Sequence, residues 1–180
     1  MRRILATCAL ALGLANAPAL GASLPGRGAL ELSPSLAFSY ASYFSNSSSN
    51  FSVSTLDLDA FVGYFLTDRL ELGGSVLLSH VSFSGGQTTV GATGGLTFNF
   101  RSGNLAPYLR AEFGYGATPP GETIRLFPVL EGGARVMVGN AASVNFTVGF
   151  QHESHPGGST SLDRVLVGVG VSIFPVQGKP

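Results

Sequence analysis

The chain has 180 residues, 44% hydrophobic and only 11% charged, with a formal net charge of +0; this is room for one ordinary domain and is not the composition of a disordered polar chain. Lys179 is the sole lysine, so there is no basic stripe to follow a phosphate backbone, and nucleic-acid binding is not expected. Mean hydropathy is high at +0.32, yet after the first 20 residues no apolar run approaches the roughly 20 residues of a spanning helix, so a membrane crossing has to be made by strands.

Residues 1–22 read as a cleaved secretory signal. Arg2 and Arg3 precede the apolar stretch from Ile4 to Leu14, and small residues follow, with cleavage expected after Ala19, Gly21 or Ala22. Cys8 leaves with the signal, so the mature chain, 23–180, offers no thiol for a disulfide, for catalysis or for a metal.

From Gly28 to Phe174 the side chains alternate in eight segments between apolar and small or polar, the period of a strand with two unlike faces. The first sets Leu30, Leu32, Leu36, Phe38 and Tyr40 against Glu31, Ser33, Ser35, Ala37 and Ser39. The second opposes Leu56, Leu58, Ala60, Val62 and Tyr64 to Asp57, Asp59, Phe61 and Gly63, and the third Leu70, Leu72, Val76 and Leu78 to Glu71, Gly73 and Ser75. The fourth runs Val90, Ala92, Leu96 and Phe98 against Gly91, Thr93 and Thr97. The fifth and sixth place charge on the small-residue face, with Arg110 and Glu112, then Arg125, Glu131 and Arg135. Val144, Phe146, Val148 and Phe150 mark the seventh segment, and Val165, Val167, Val169, Val171 and Ile173 the eighth. Each segment is about nine residues or longer, enough for a tilted strand to cross a bilayer.

The connections alternate as well. Terse turns stand at Thr67-Asp68-Arg69, Ser102-Gly103-Asn104 and Gly139-Asn140-Ala141, and less regular loops at 45–50, 84–87, 117–122 and 154–161. Short turns at one end, longer loops at the other and an even strand count predict an all-β fold, an eight-stranded antiparallel up-and-down transmembrane β-barrel with both termini periplasmic. The Gly-Gly pairs 73–74, 94–95 and 132–133 are read as relief of crowding inside a narrow barrel.

A soluble barrel with an apolar interior is the rival architecture, and side-chain size decides between them. The bore of eight strands suits the Gly, Ser, Thr and Ala face, which turns the Leu, Val and Phe face outward, and this chain has too few charges to cover a water-facing exterior. Glu31, Asp57, Asp59, Glu71, Arg110, Glu112, Arg125, Glu131 and Arg135 then form a luminal charge cluster that must pair internally, leaving a filled bore and no large pore. Tyr40, Tyr64, Phe98, Phe100, Tyr115 and Phe150 lie toward strand ends on the outer face, where interfacial girdles sit.

Two stretches carry a family resemblance. Gly63-Tyr64-Phe65-Leu66-Thr67-Asp68-Arg69-Leu70-Glu71-Leu72-Gly73-Gly74 resembles the second hairpin of the OmpA/OmpX/OmpW-like outer-membrane β-barrels, and Ala106-Pro107-Tyr108-Leu109-Arg110-Ala111 with Phe113-Gly114-Tyr115-Gly116 resembles their fifth strand. The resemblance implies a bacterial outer-membrane location, assembly by the barrel-assembly machinery, contact with outer-membrane lipid and lipopolysaccharide, and a monomeric structural or surface-interaction role. Such barrels end in an outward aromatic, whereas Phe174 is out of phase with Val171 and Ile173.

No phosphate loop, metal-spaced Cys/His set or nucleophile-elbow pentapeptide occurs, so no cofactor or metal is expected. Of the three histidines, His80, His152 and His155, one belongs to an enzymatic alternative. His152 and Ser154 continue the outward parity of Phe150, and Asp163 that of Val165, which puts nucleophile, base and acid at the outer rim of neighbouring strands. The set His152, Ser154 and Asp163 resembles the His-x-Ser pair and acid of PagL-type lipid A deacylases, which implies acyl ester hydrolysis. This chain has His155 where that family has Asn, and Asp163 where it has Glu.

Overall fold

Eight strands follow one another in chain order: β1 (Leu30–Phe44), β2 (Ser52–Phe65), β3 (Leu70–Val81), β4 (Gln87–Asn99), β5 (Leu105–Thr118), β6 (Glu122–Met137), β7 (Ala142–Ser154) and β8 (Ser161–Val176). Each pairs antiparallel with its chain neighbour, and β8 closes on β1, giving a complete up-and-down barrel in a computed structural model that describes residues 23–44, 52–81, 87–100, 103–118, 122–154 and 161–176. The expected signal 1–22 and most of the expected outer-loop residues lie outside the described residues. Closure leaves no unpaired edge, the condition for strands in lipid.

The expected alternation sorts the side chains as predicted. Leu109 and Phe113 on β5 are 57% and 63% exposed, while Tyr108, Arg110 and Glu112 between them are buried in the bore. The outer wall carries Leu, Val, Ile and Phe along its length, a continuous apolar surface that belongs against hydrocarbon. Tyr64, Phe98 and Phe100 ring the short-turn end, and Tyr40, Tyr115 and Phe150 the loop end, all exposed. Leu30 on β1 pairs with Tyr64, and Tyr40 lies ten residues along the same strand. At about 3.3 Å per residue and a tilt near 40° the two girdles are roughly 25 Å apart, the height of a lipid-facing band.

Two irregularities alter the simple parity. In β6, Leu130 pairs with Phe150 and Val129 with Gln151, but Phe127 then pairs with His152 and Leu126 with Glu153. Toward β5, Val129 pairs with Glu112 and Leu126 with Gly114, so one extra residue enters β6 at Pro128. Proline cannot donate to the ladder, and a bulge is where a sheet accommodates it. Past the bulge the backbone register pairs Arg125 with Tyr115 and with Ser154; the Arg125 side chain lies outside the described residues. The second irregularity lies in β8, where Leu32 pairs with Ile173 but Leu30 with Val176. Phe174 is buried, and Val176 becomes the outward residue at the strand end.

That buried phenylalanine helps to close the short-turn mouth. Leu24, Ala29, Phe65, Ala106, Met137 and Phe174 form an apolar cluster there, with Phe65 and Phe174 edge to face at 6.3 Å. The segment before β1 is tied across the mouth by Gly28 N donating to Phe65 O at 2.8 Å and Arg27 N to Asp68 Oδ1 at 3.0 Å.

Candidate functional site

Two constellations carry the polar chemistry, one inside the bore and one on the outer wall. The luminal set is arranged in tiers above the apolar mouth. In the lowest, Arg135 is fully buried, its Nη2 ion-paired with Glu31 Oε2 at 2.9 Å and donating to Glu71 Oε2 at 3.1 Å, with Nη1 donating to Asn99 Oδ1 at 2.6 Å. Glu31 also accepts from Ser172 Oγ at 2.5 Å, and Asn145 Nδ2 donates to Ser172 and Ser33. Three strands far apart in sequence thus meet on one guanidinium.

The middle tier is built around Arg110. Its Nε donates to Thr97 Oγ1 at 3.0 Å, its Nη1 lies 3.6 Å from Glu131 Oε2, and its guanidinium lies 3.8 Å above the Phe61 ring. Phe61 can lie across the bore because Gly73 has no side chain: a Cβ there would stand 2.3 Å from Phe61 Cζ. Gly95 answers backbone crowding, since its Cβ would meet Ala111 O at 2.1 Å. Tyr108 completes the tier, its hydroxyl 2.6 Å from Thr147 Oγ1.

Toward the loop end Arg164 pairs with Glu153 at 2.9 Å, approaches Asp57 at 3.9 Å and donates to Ser79 at 3.3 Å. Gln151 Nε2 also donates to Glu153, and Ser39 and Thr55 bond to each other above. Between the middle and upper tiers a cavity of about 60 Å³ remains, lined by Asp57, Asp59, Glu112 and Glu131 among others. It has room for a few water molecules.

The expected outer-wall set is placed as follows. His152 on β7 is the register partner of Asp163 on β8, one row above the exposed pair Phe150 and Val165. Nδ1 of His152 lies 2.6 Å from Oδ1 of Asp163, with the side chains 38% and 40% exposed. Ser154 continues the row, its backbone paired with Ser161; its side chain, like His155, lies outside the described residues. A carboxylate on Nδ1 fixes the imidazole and leaves Nε2 facing away as an acceptor, the relation of acid to base in a nucleophilic triad. His80 is exposed at the end of β3 with Nδ1 3.0 Å from Thr88 Oγ1, a local cross-strand contact.

No protein-family model matches the chain, and no curated protein is significantly similar in sequence. Solved structures are similar. The outer-membrane protein OprG of Pseudomonas aeruginosa superposes with a TM-score of 0.55 at 12% identity, over 84% of this chain and 97% of that one. Neisserial surface protein A gives 0.54 at 14% identity, over 82% and 99%. Ail, the attachment invasion locus protein of Yersinia pestis, gives 0.53 at 12%, over 82% and 99%. The chain has the fold of the small outer-membrane β-barrels. At this identity the likeness is one of architecture, and it carries no activity across.

Sequence reasoning missed two members of the luminal set. Arg164, next to Val165 in the eighth segment, and Glu153, between His152 and Ser154, stand outside the predicted charge cluster, yet they pair inside the bore at 2.9 Å. The signal for Glu153 was available, since it shares parity with Gln151. Among the described residues the bore therefore holds seven carboxylates (Glu31, Asp57, Asp59, Glu71, Glu112, Glu131, Glu153) and three guanidinium groups (Arg110, Arg135, Arg164).

Proposed function

We propose that the protein is a monomeric outer-membrane barrel with a structural or surface-interaction role, exported by a cleaved signal, with both termini periplasmic and its longer loops turned to the exterior. The observation that supports this reading is the side-chain filling of the bore among the described residues: three tiers of guanidinium-centred contacts over an apolar plug at the short-turn mouth, with a cavity of about 60 Å³ between them. Loops at the far end are then the surface available to partners, and lipid and lipopolysaccharide surround the wall. Fractionation should recover the chain in the outer membrane, with heat-modifiable migration in detergent gels. Recovery as a soluble periplasmic protein would refute the location, and large steady single-channel currents in planar bilayers would refute the filled bore.

A second reading rests on one specific contact, His152 Nδ1 to Asp163 Oδ1 at 2.6 Å on the lipid-facing row. With Ser154 two residues along the same strand, the set has the residue types of an acyl ester hydrolase acting on lipid A at the membrane surface. Ser154 Oγ would attack the acyl carbonyl as His152 Nε2 takes its proton and Asp163 stabilises the imidazolium; the ester C–O bond would then break with that proton passing to the departing alcohol, and water deprotonated by His152 would release the fatty acid from Ser154. The test is expression in a lipid A-bearing host with mass spectrometry of lipid A, beside Ser154→Ala and His152→Ala. Deacylation lost in both variants would make this the leading function; unmodified lipid A around a folded barrel would remove it.

A further inference from the structure

In the lowest tier two acids crowd onto one cation. Glu31 and Glu71 are both fully buried, and both lie on Nη2 of Arg135, at 2.9 and 3.1 Å. Their other donors are neutral, Ser172 Oγ to Glu31 Oε1 at 2.5 Å and Asn99 Nδ2 to Glu71 Oε2 at 3.4 Å. Each carboxyl group is left with one oxygen, Glu31 Oε2 and Glu71 Oε1, that accepts no hydrogen bond among the described residues. The backbone brings the two groups together. Gly63 on β2 is the register partner of Glu31, and a Cβ at that glycine would collide with Glu71 Oε1, so the Glu71 carboxyl fills the room that the missing side chain leaves beside Glu31. The two carboxyl groups are in hydrogen-bond contact with each other. Two ionised carboxylates are acceptors only and cannot make that bond, whereas one proton between them supplies it. Charge asks for the same proton, since two buried anions against one guanidinium leave an uncompensated negative charge away from water.

We infer that Glu31 and Glu71 hold one proton in common at neutral and mildly alkaline pH, which makes the Arg135 tier a neutral clamp across β1, β3 and β6 that loosens when the proton is lost. The surroundings leave that proton without a competitor. Tyr108 on β5 lies under the Arg135 guanidinium, 5.0 Å from ring centroid to Cζ, and Arg110 on the same strand is engaged by Glu131 and Thr97. The neighbours from β4, β7 and β8 are the uncharged Asn99, Asn145 and Ser172, and β2 contributes Gly63. Among the described residues Arg135 is the one cation paired with either acid. The two groups therefore take up and release the proton as a pair.

Proton uptake on folding tests this. In the unfolded chain both glutamates are ionised at about pH 8, far above their ordinary pKa of about 4.3. When the full barrel is diluted from urea into weakly buffered detergent with an indicator dye, wild type should take up about one proton per chain more than Glu31→Gln or Glu71→Gln, because either substitution leaves the other acid as a plain ion-pair partner of Arg135. The other acids of the bore are common to all three proteins and cancel. Infrared difference spectra at the same pH should show one protonated-carboxyl band in wild type that is missing from both variants. The folded state then carries one proton more than the unfolded chain, so the wild-type unfolding constant should rise about tenfold per pH unit relative to the variants, until the proton leaves. Both substitutions conserve size, and heat-modifiable migration will show that they fold. Equal proton uptake by wild type and the folded variants would overturn the proposal. So would a band lost in only one variant, since the remaining acid would then hold the proton by itself, and the absence of any protonated-carboxyl band from wild type would overturn it without a variant.

Discussion

Replacing Arg135 by methionine tests the logic of the bore most directly. Arg135, Glu31 and Glu71 are all 0% exposed, and the guanidinium lies 2.9 and 3.1 Å from the two carboxylates. Removing the cation strands two acids in a space closed below by the apolar plug. Breaking one buried pair costs about 3–5 kcal/mol, and here a single substitution breaks two that share a partner, so the loss should reach at least that range. The reverse perturbation is far milder. Glu71→Gln leaves Arg135 and Glu31 as a neutral pair and keeps an acceptor near Asn99 Nδ2, so it should cost about 1 kcal/mol. Combining Arg135→Met with Glu31→Gln and Glu71→Gln should recover most of the loss, because no charge is then left unpaired. Urea titration of the detergent-folded barrel, read by tyrosine fluorescence and gel mobility, measures all three. The reasoning fails if Arg135→Met lies within about 0.5 kcal/mol of wild type, or if Glu71→Gln costs as much as Arg135→Met.

Other consequences can be measured in the same way. Gly95→Val should prevent folding or destabilise by at least about 1–3 kcal/mol, because the obstruction is the backbone at Ala111 and cannot rotate aside; unchanged stability would refute the crowding account. Val76→Arg, on the lipid-facing wall and paired with Ala60 near mid-height, should cost about 2–4 kcal/mol in bilayers, whereas a cost near zero would mean that this face meets water. Phe174→Ala should weaken the plug of the short-turn mouth by about 3–5 kcal/mol as a buried aromatic truncation, with only brief added conductance because the tiers above remain. Sustained currents in that variant would show that the plug alone seals the bore.

Much of the barrel was legible in the order of residues. A period of two repeated through eight segments determines strands with unlike faces, and the contrast in size between Leu, Val and Phe on one row and Gly, Ser and Thr on the other determines which row turns inward. The alternation of terse and loose connections determined the ends. These are local properties, carried by neighbours along one strand, and they placed Leu109, Arg110, His152 and Asp163 on their observed faces.

What the tertiary structure decided is what depends on several strands at once. Parity cannot be carried through Pro128, because the residue inserted there shifts the register of β6 against both of its neighbours. Phe174, out of phase for a lipid-facing end, finds its place against Leu24, Phe65 and Met137, contacts that exist only once β8 has closed on β1. The choice of Glu31 and Glu71 as partners for Arg135, and of Glu153 for Arg164, was likewise undetermined by spacing, since strand tilt and stagger set which levels of the wall face one another across the bore.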